Sequence, residues 1–336
     1  MAQATNFNPS QNVSVFIQDE ATVGTQVDDA ALTRLQATSF TIPEASVPLE
    51  FSSARSGQFT TTATQGHHSE GTKMWTFDTT LRGTPFSVLK ACQAVFEQGS
   101  SVAELDNDYI FPTTGYTVAT GSGAKTHDIR FVNGGTKAAA ETIACAGCVG
   151  TGFTLSEDIG SEGGELVCTI NWATGFMPVH SADDITSPAY DEGTPKNIRS
   201  LGLTTAELGA SNDLVVQSWE LSVQRTIERV HYSDITSGSF HPFGYAMTAP
   251  FEITGSITAI RNETIHDLLA NFRNSTSVAL KLAEASAFSI DVPKAMLGES
   301  TVDNGGAVLT QTIPFTGVAD EDIDGSNEQV LGITIA

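Results

Sequence analysis

Basic residues are scarce in this chain. Lys and Arg together number 16 against 39 Asp and Glu, a formal net charge of -23. A protein that grips nucleic acid needs clustered cations along a phosphate track. The nearest approach, Arg225 and Arg229 with Glu228 between them, is too sparse to serve. An acidic surface suits instead a protein that nucleic acid must slide past without adhering. Long apolar runs are also missing. None nears the ~18 to 20 residues of a membrane-spanning helix, so no membrane partner is expected. Cysteine is limited to Cys92, Cys145, Cys148 and Cys168 in 336 residues, too few and too scattered for a disulfide framework. The opening residues, MAQATNFNPSQN, carry neither the basic nor the apolar segment of a signal peptide. Residues 1–12 therefore read as a polar arm, and assembly in a cytoplasm is the expectation.

Catalytic and metal-binding patterns are equally thin. Cys145 and Cys148 have CxxC spacing, but Cys92 and Cys168 supply no second close pair for zinc. His67, His68 and Glu70 precede a strand, where zincins would need a helix. Asp320, Asp322 and Asp324 match the first half of a calcium loop, yet the twelfth position is Leu331 instead of a bidentate Glu. No nucleophile elbow, P-loop or dinucleotide fingerprint occurs, and no carboxylate pair singles itself out for glycoside hydrolysis. The expectation is a protein without catalytic residues, metal or cofactor.

What is present is β pattern, and it occurs twice. Trp75, Phe77, Thr79 and Leu81 alternate and run into Thr84-Pro85 and a short apolar helix ending near Gly99. Ile253, Gly255, Ile257 and Ala259, preceded by Phe251, alternate and run into Asn262 and another apolar helix ending near Asn274. Short alternating runs separated by Gly, Asn, Asp and Pro clusters mark an all-β sandwich or barrel. Strands are expected at 13–18, 35–42, 57–64, 73–81, 126–132, 148–155 and 165–172. A second set is expected at 214–223, 225–232, 247–260, 277–282, 288–292, 306–315 and 329–335, with Pro293 ending the 288–292 run. The fold class is thus all-β dominated with short helices. Two tandem β-sandwich or barrel domains are expected, 1–185 and 186–336, each with one flanking helix and joined by a loop over 178–195.

Thr84 is a good N-cap with Pro85 at the first helical position. Leu89, Cys92 and Phe96 follow at helical spacing, matched in the second half by Ile265, Leu268, Leu269 and Phe272. Two proline-bearing apolar segments stand in expected loops: Pro43, Val47, Pro48, Leu49 and Phe51, then Phe240, Pro242, Phe243 and Tyr245. Proline lowers the entropy lost on docking and aromatic groups make good anchors. Both segments are therefore candidates for contact with another molecule. The three tryptophans, Trp75, Trp172 and Trp219, sit in alternating core patterns, which disfavours an exposed aromatic platform for carbohydrate.

The segments 215–230 (VVQSWELSVQRTIERV) and 249–272 (APFEITGSITAIRNETIHDLLANF), with the closing SVALKL, FSIDVPKAML and VLTQTIPFTGVAD runs, resemble the major tail tube proteins of long-tailed bacteriophages. The resemblance covers most of 200–336 and, more weakly, the first half. It implies a structural virion protein assembled in the bacterial host cytoplasm into stacked rings that form the hollow tail tube for DNA delivery. Its implied partners are further copies of itself, the tail terminator, the tape measure and distal tail proteins, with DNA passing transiently. It implies inter-ring contacts by the loops holding Pro43 to Phe51 and Phe240 to Tyr245. Because the unit occurs twice, a trimeric pseudo-sixfold ring is favoured over a hexamer. Asp78 and Glu220, which alternate with core positions, are the candidates for facing the lumen. A contractile-tail or secretion tube is the nearest rival.

Overall fold

The structure is a computed structural model. It describes residues 13–21, 23–44, 46, 49–51, 66–68, 73–96, 102–106, 126–133, 141–160, 164–181, 185, 189–193, 203–209, 214–231, 243–262, 265, 276–284, 288–318 and 329–335. In the first half the strands are β1 (Val13–Asp19), β2 (Thr33–Arg34), β3 (Ala37–Phe40), β4 (Leu49–Phe51), β5 (Gly66–His68) and β6 (Trp75–Arg82). Helix α1 (Pro85–Phe96) follows, then β7 (Val102–Asp106), β8 (His127–Asn133), β9 (Glu141–Asp158), β10 (Val167–Thr174), β11 (Val179–Ser181) and β12 (Ala189–Tyr190). The second half holds β13 (Leu203–Leu208), β14 (Val216–Gln224), β15 (Ile227–His231), β16 (Phe243–Met247) and β17 (Glu252–Ile260). It closes with β18 (Val278–Glu284), β19 (Phe288–Leu297), β20 (Thr301–Asp303), β21 (Thr310–Gly317) and β22 (Gln329–Ile335). The chain is all-β dominated with a short helix.

One continuous antiparallel sheet runs β3-β6-β10-β9-β14-β17-β21 and ends on β20 and the last residues of β19. Behind it, β1, β8 and β11 pair around the first part of β9. In the second half β13, β18 and β22 stand in the same relation to β19. The short hairpins β4-β5 and β15-β16 form small sheets of their own.

The pairing order β3-β6-β10-β9 with β1-β8-β9-β11 is matched by β14-β17-β21-β19 with β13-β18-β19-β22, while β2 and β12 have no counterpart among the described residues; local details fix the register. The ladder slips once between Ala37 and Ser39 opposite β6, and once between Val216 and Ser218 opposite β17. Arg82 N–H donates to Gln36 O as Ile260 N–H donates to Val215 O. Gly83 N–H donates to Leu166 O as Arg261 N–H donates to Leu309 O. The halves are also joined. β9 pairs with β14, β7 pairs with β22, and a single buried cluster includes Phe77, Leu155 and Trp172 with Trp219, Leu221 and Ile290.

Helix α1 starts where its cap dictates. Thr84 Oγ1 accepts from Ser87 N–H at 3.0 Å while Ser87 Oγ accepts from Thr84 N–H at 2.9 Å, a reciprocal cap. Val88, Ala91, Cys92, Val95 and Phe96 are buried, and so are Lys90 and Gln93. The helix packs on β9 and β10. Gly150 permits this approach: a Cβ there would lie 2.8 Å from Val95 and 2.9 Å from Ala94. Arg225, buried, donates from Nη2 to Ala94 O and from Nε to Gly150 O. It satisfies a carbonyl of the last helical turn, so it is part of the framework. In the second half Ile265 is helical and its N–H donates to Asn262 Oδ1 at 3.0 Å, the counterpart of the Thr84 cap. Leu268, Leu269 and Phe272 lie outside the described residues, as do Gly99, Asn274 and the strand expected at 57–64.

Several expectations need correction. The strand expected over 247–260 begins only at Glu252, as β17; Met247 is the last residue of β16 in a different sheet, and Pro250 lies in the break, where a missing N–H cannot extend a ladder. Pro293 does not end its strand; β19 runs on to Leu297. Pro293 falls where β19 leaves β22 and slips register against β18, a position that tolerates a missing donor. The strand expected at 148–155 is the long β9, which bends from one sheet to the other at Gly147, whose φ of 63° favours glycine. The loop over 178–195 is fastened to the first half: β11 pairs with β9 and β12 with β2, while Asp191 accepts from Thr84 Oγ1 at 2.6 Å.

Candidate functional surface

Alternation places one face of the continuous sheet on the core and the other away from it. On β6 the core takes Trp75, Phe77, Thr79 and Leu81, leaving Thr76, Asp78, Thr80 and Arg82 on the opposite face. On β14 it takes Trp219, Leu221 and Val223, leaving Ser218, Glu220, Ser222 and Gln224. The outward residues of neighbouring strands stand opposite one another in rows. One row passes Ser39, Thr80, Thr169, Thr154, Ser222, Thr254 and Thr316 without leaving hydroxyl side chains. It crosses the seam between the two halves at Thr154 and Ser222. Within these rows Thr169 Oγ1 donates to Thr80 Oγ1 at 3.2 Å, and the Thr258 and Thr312 hydroxyls are 2.8 Å apart. Cross-strand hydroxyl pairs of this kind hold side chains in place on the pleat.

The charge on this face is sparse and mostly negative. Asp78, Asp158, Glu220 and Glu252 lie on it. On β6, β9, β14 and β17 its cation is Arg82, paired with Glu165 at 2.5 Å, and Lys294 on the last part of β19 lies on the same face. Asp78 is half-buried and accepts from Thr41 Oγ1 at 2.6 Å, whereas Glu220 is exposed. The structure thus brings the two expected lumen residues onto one face of one sheet. The hydroxyl rows were not anticipated. Their signal was in the sequence as Thr or Ser recurring at second positions: Thr76 and Thr80 on either side of Asp78, Thr154 and Ser156, Thr254, Ser256 and Thr258, and Thr310, Thr312 and Thr316 interrupted by Pro314.

The expected docking segments fare differently. Tyr245 is 1% exposed; its hydroxyl donates to Gly147 O at 2.7 Å and accepts from Gly175 N–H at 2.8 Å. It anchors the β15-β16 hairpin to its own subunit instead of offering a solvent-facing contact. Pro43 is buried too. A polar handle on a large ring and a rigid turn serve internal packing as readily as docking. Leu49 and Phe51 lie in β4 and Phe243 in β16. Val47, Pro48, Phe240 and Pro242 lie outside the described residues. The two hairpins do hold equivalent places, between β3 and β6 and between β14 and β17.

The remaining polar clusters are interior. Lys90 Nζ and His127 Nε2 reach Asp19 Oδ1 at 2.6 and 3.3 Å. Burial alone would raise the Asp19 carboxyl, but these contacts outweigh it and hold it well below the usual carboxylate range. Burial pushes the His127 ring down. All four cysteines are buried free thiols, with Cys145 and Cys168 pushed up by burial to about 12, which leaves them far from a reactive thiolate. Among the described residues no three His, Cys, Asp or Glu side chains gather as metal ligands. Trp75, Trp172 and Trp219 are buried. Asp320, Asp322 and Asp324 lie outside the described residues. No protein-family model matches the chain, and no curated protein matches it.

Proposed function

We propose that this chain is a structural subunit of a phage tail tube, assembling with copies of itself into stacked rings whose continuous sheets form the wall of a DNA conduit. One observation carries the reading. A single antiparallel sheet spans both halves of the chain and presents hydroxyl rows with sparse, mainly acidic charge on its outward face. Such a face offers DNA water-like hydrogen bonding and almost no cation to hold a phosphate. Asp78 and Glu220 belong to that lumen. The other side of that wall rests on the shared core.

The matched pairing order of the two main strand sets supports reading the chain as two tube units in tandem, so that three chains would make a ring with six similar positions. The tail terminator, tape measure and distal tail proteins are the partners this reading implies, and the virion tail is its location. The test is electron microscopy of the purified protein over a concentration series. Rings or tubes with a central hole are expected, together with no retention of duplex DNA at low salt. Compact monomers at every concentration, or tight DNA binding, would overturn the proposal.

A further inference from the structure

Within the chain the two halves meet by one antiparallel seam, β9 on β14. At its centre Leu155 stands opposite Leu221, and both are buried, at 0% and 1% exposure. The repetition of the halves assigns each seam residue a counterpart on an outer edge of the sheet. Counting from the shared register slip, which matches Ser39 with Ser218, Ile42 corresponds to Leu221. The matched Leu166 and Leu309 carbonyl contacts align Cys168 with Gln311. Leu155, opposite Cys168, therefore corresponds to Val302, opposite Gln311.

These two counterparts lie on the core-facing side of the sheet, yet Ile42 is 37% and Val302 47% exposed. Each is uncovered where the half carrying it has no neighbouring strand. Among the described residues β20 pairs with β21 alone and β3 with β6 alone. Residues 301–305 beside Val302 are exposed throughout. Thr41 N–H is spent on Asp78 O, so by strand alternation the backbone groups of Phe40 and Ile42 face away from β6. An open edge with apolar residues at its rim is the kind that pairs with another chain.

We infer that β20 of one chain pairs antiparallel with the segment around Ile42 of a second copy, Val302 opposite Ile42, reproducing between chains the Leu155–Leu221 seam within the chain. The same register sets Asp303 opposite Thr41, as Ser156 stands opposite Glu220 in the seam. The contact is heterologous, edge to opposite edge, so it propagates and closes into a ring if the rotation per chain permits. The inference rests on the self-assembly reading above and names the contact that reading needs.

The test mixes two separately purified full-length variants, I42C and V302C, one carrying a longer tag, under mild oxidation. Opposed residues on paired strands have a Cα separation that a disulfide spans, and the buried native thiols do not compete. Several-fold more mixed dimer is expected than from S39C with V302C, whose side chains leave the sheet on opposite faces. A second variant, I42D, alters a residue exposed in the single chain. It is expected to keep the parent melting temperature while losing assembly. Mixed dimer no greater than in the S39C pairing, or I42D assembling like the parent, would overturn the inference. Hollow tubes without the cross-link would overturn this register and leave the tube reading standing. Cross-linked open chains without a central hole would support the contact and overturn the tube. Monomers throughout would overturn both.

Discussion

At the scale of single residues, buried polar groups give the most direct predictions. His127 is fully buried and its ring is pushed down by burial, even with Asp19 Oδ1 at 3.3 Å. A folded-state pKa below the unfolded value of about 6.5 means the unfolded chain takes up the proton first as pH falls. This group's stabilisation is complete above that value and is lost progressively below it, down to the folded pKa. Asp19, held low, adds a second loss that begins only below its ordinary value of 3.8. The expected outcome for His127→Gln is a flatter dependence of the urea midpoint on pH between neutral and mildly acidic solution. An unchanged slope would show that His127 is not the titrating group. Leu221 is the complementary apolar case. Buried at the seam against Leu155, it is expected on Leu221→Ala to cost about 3 kcal/mol by equilibrium denaturation.

At the scale of elements, the α1 cap and the β15-β16 hairpin are the testable joints. Thr84 both caps the helix and donates to Asp191 in the segment between the halves. Thr84→Ala is expected to cost about 2 kcal/mol, the upper end for a lost cap, and Thr84→Ser to restore most of it. Tyr245→Phe removes the partner of Gly147 O and Gly175 N–H and is expected to cost about 1 to 3 kcal/mol. Excising 240–245 is therefore expected to destabilise the subunit itself, as a lowered melting temperature would show. These elements also mark how far the sequence could be read. Thr84-Pro85, the Ile253–Ala259 alternation and β22 were legible because capping chemistry and period-two burial act locally. The length of β9 was not, since its glycines resemble a loop until α1 is seen pressing on Gly150. Tyr245 was misplaced because a tyrosine in a short proline-bearing segment gives no sign of which carbonyl will accept its proton. The outward orientation of Asp78 and Glu220, the expected lumen pair, followed from alternation alone, whereas their common face required the β9–β14 seam, a pairing of strands far apart in sequence.

At the scale of the whole molecule, a net charge of -23 sets copies of the chain against one another. Added salt screens that repulsion, so assembly is expected at lower protein concentration in physiological than in low salt. Light scattering across a concentration series would register the shift, and inhibition by salt would mean that ion pairs dominate the contacts. The central claim is that the hydroxyl face is the inner wall of a tube. The measurement that tests it most directly is a cryo-electron microscopy reconstruction of the assembled protein. The account predicts a central channel lined by Thr80, Thr154, Ser222 and Thr254, with α1 outside the sheet. A channel lined by another surface, or an assembly with the hydroxyl rows turned to its exterior, would contradict it.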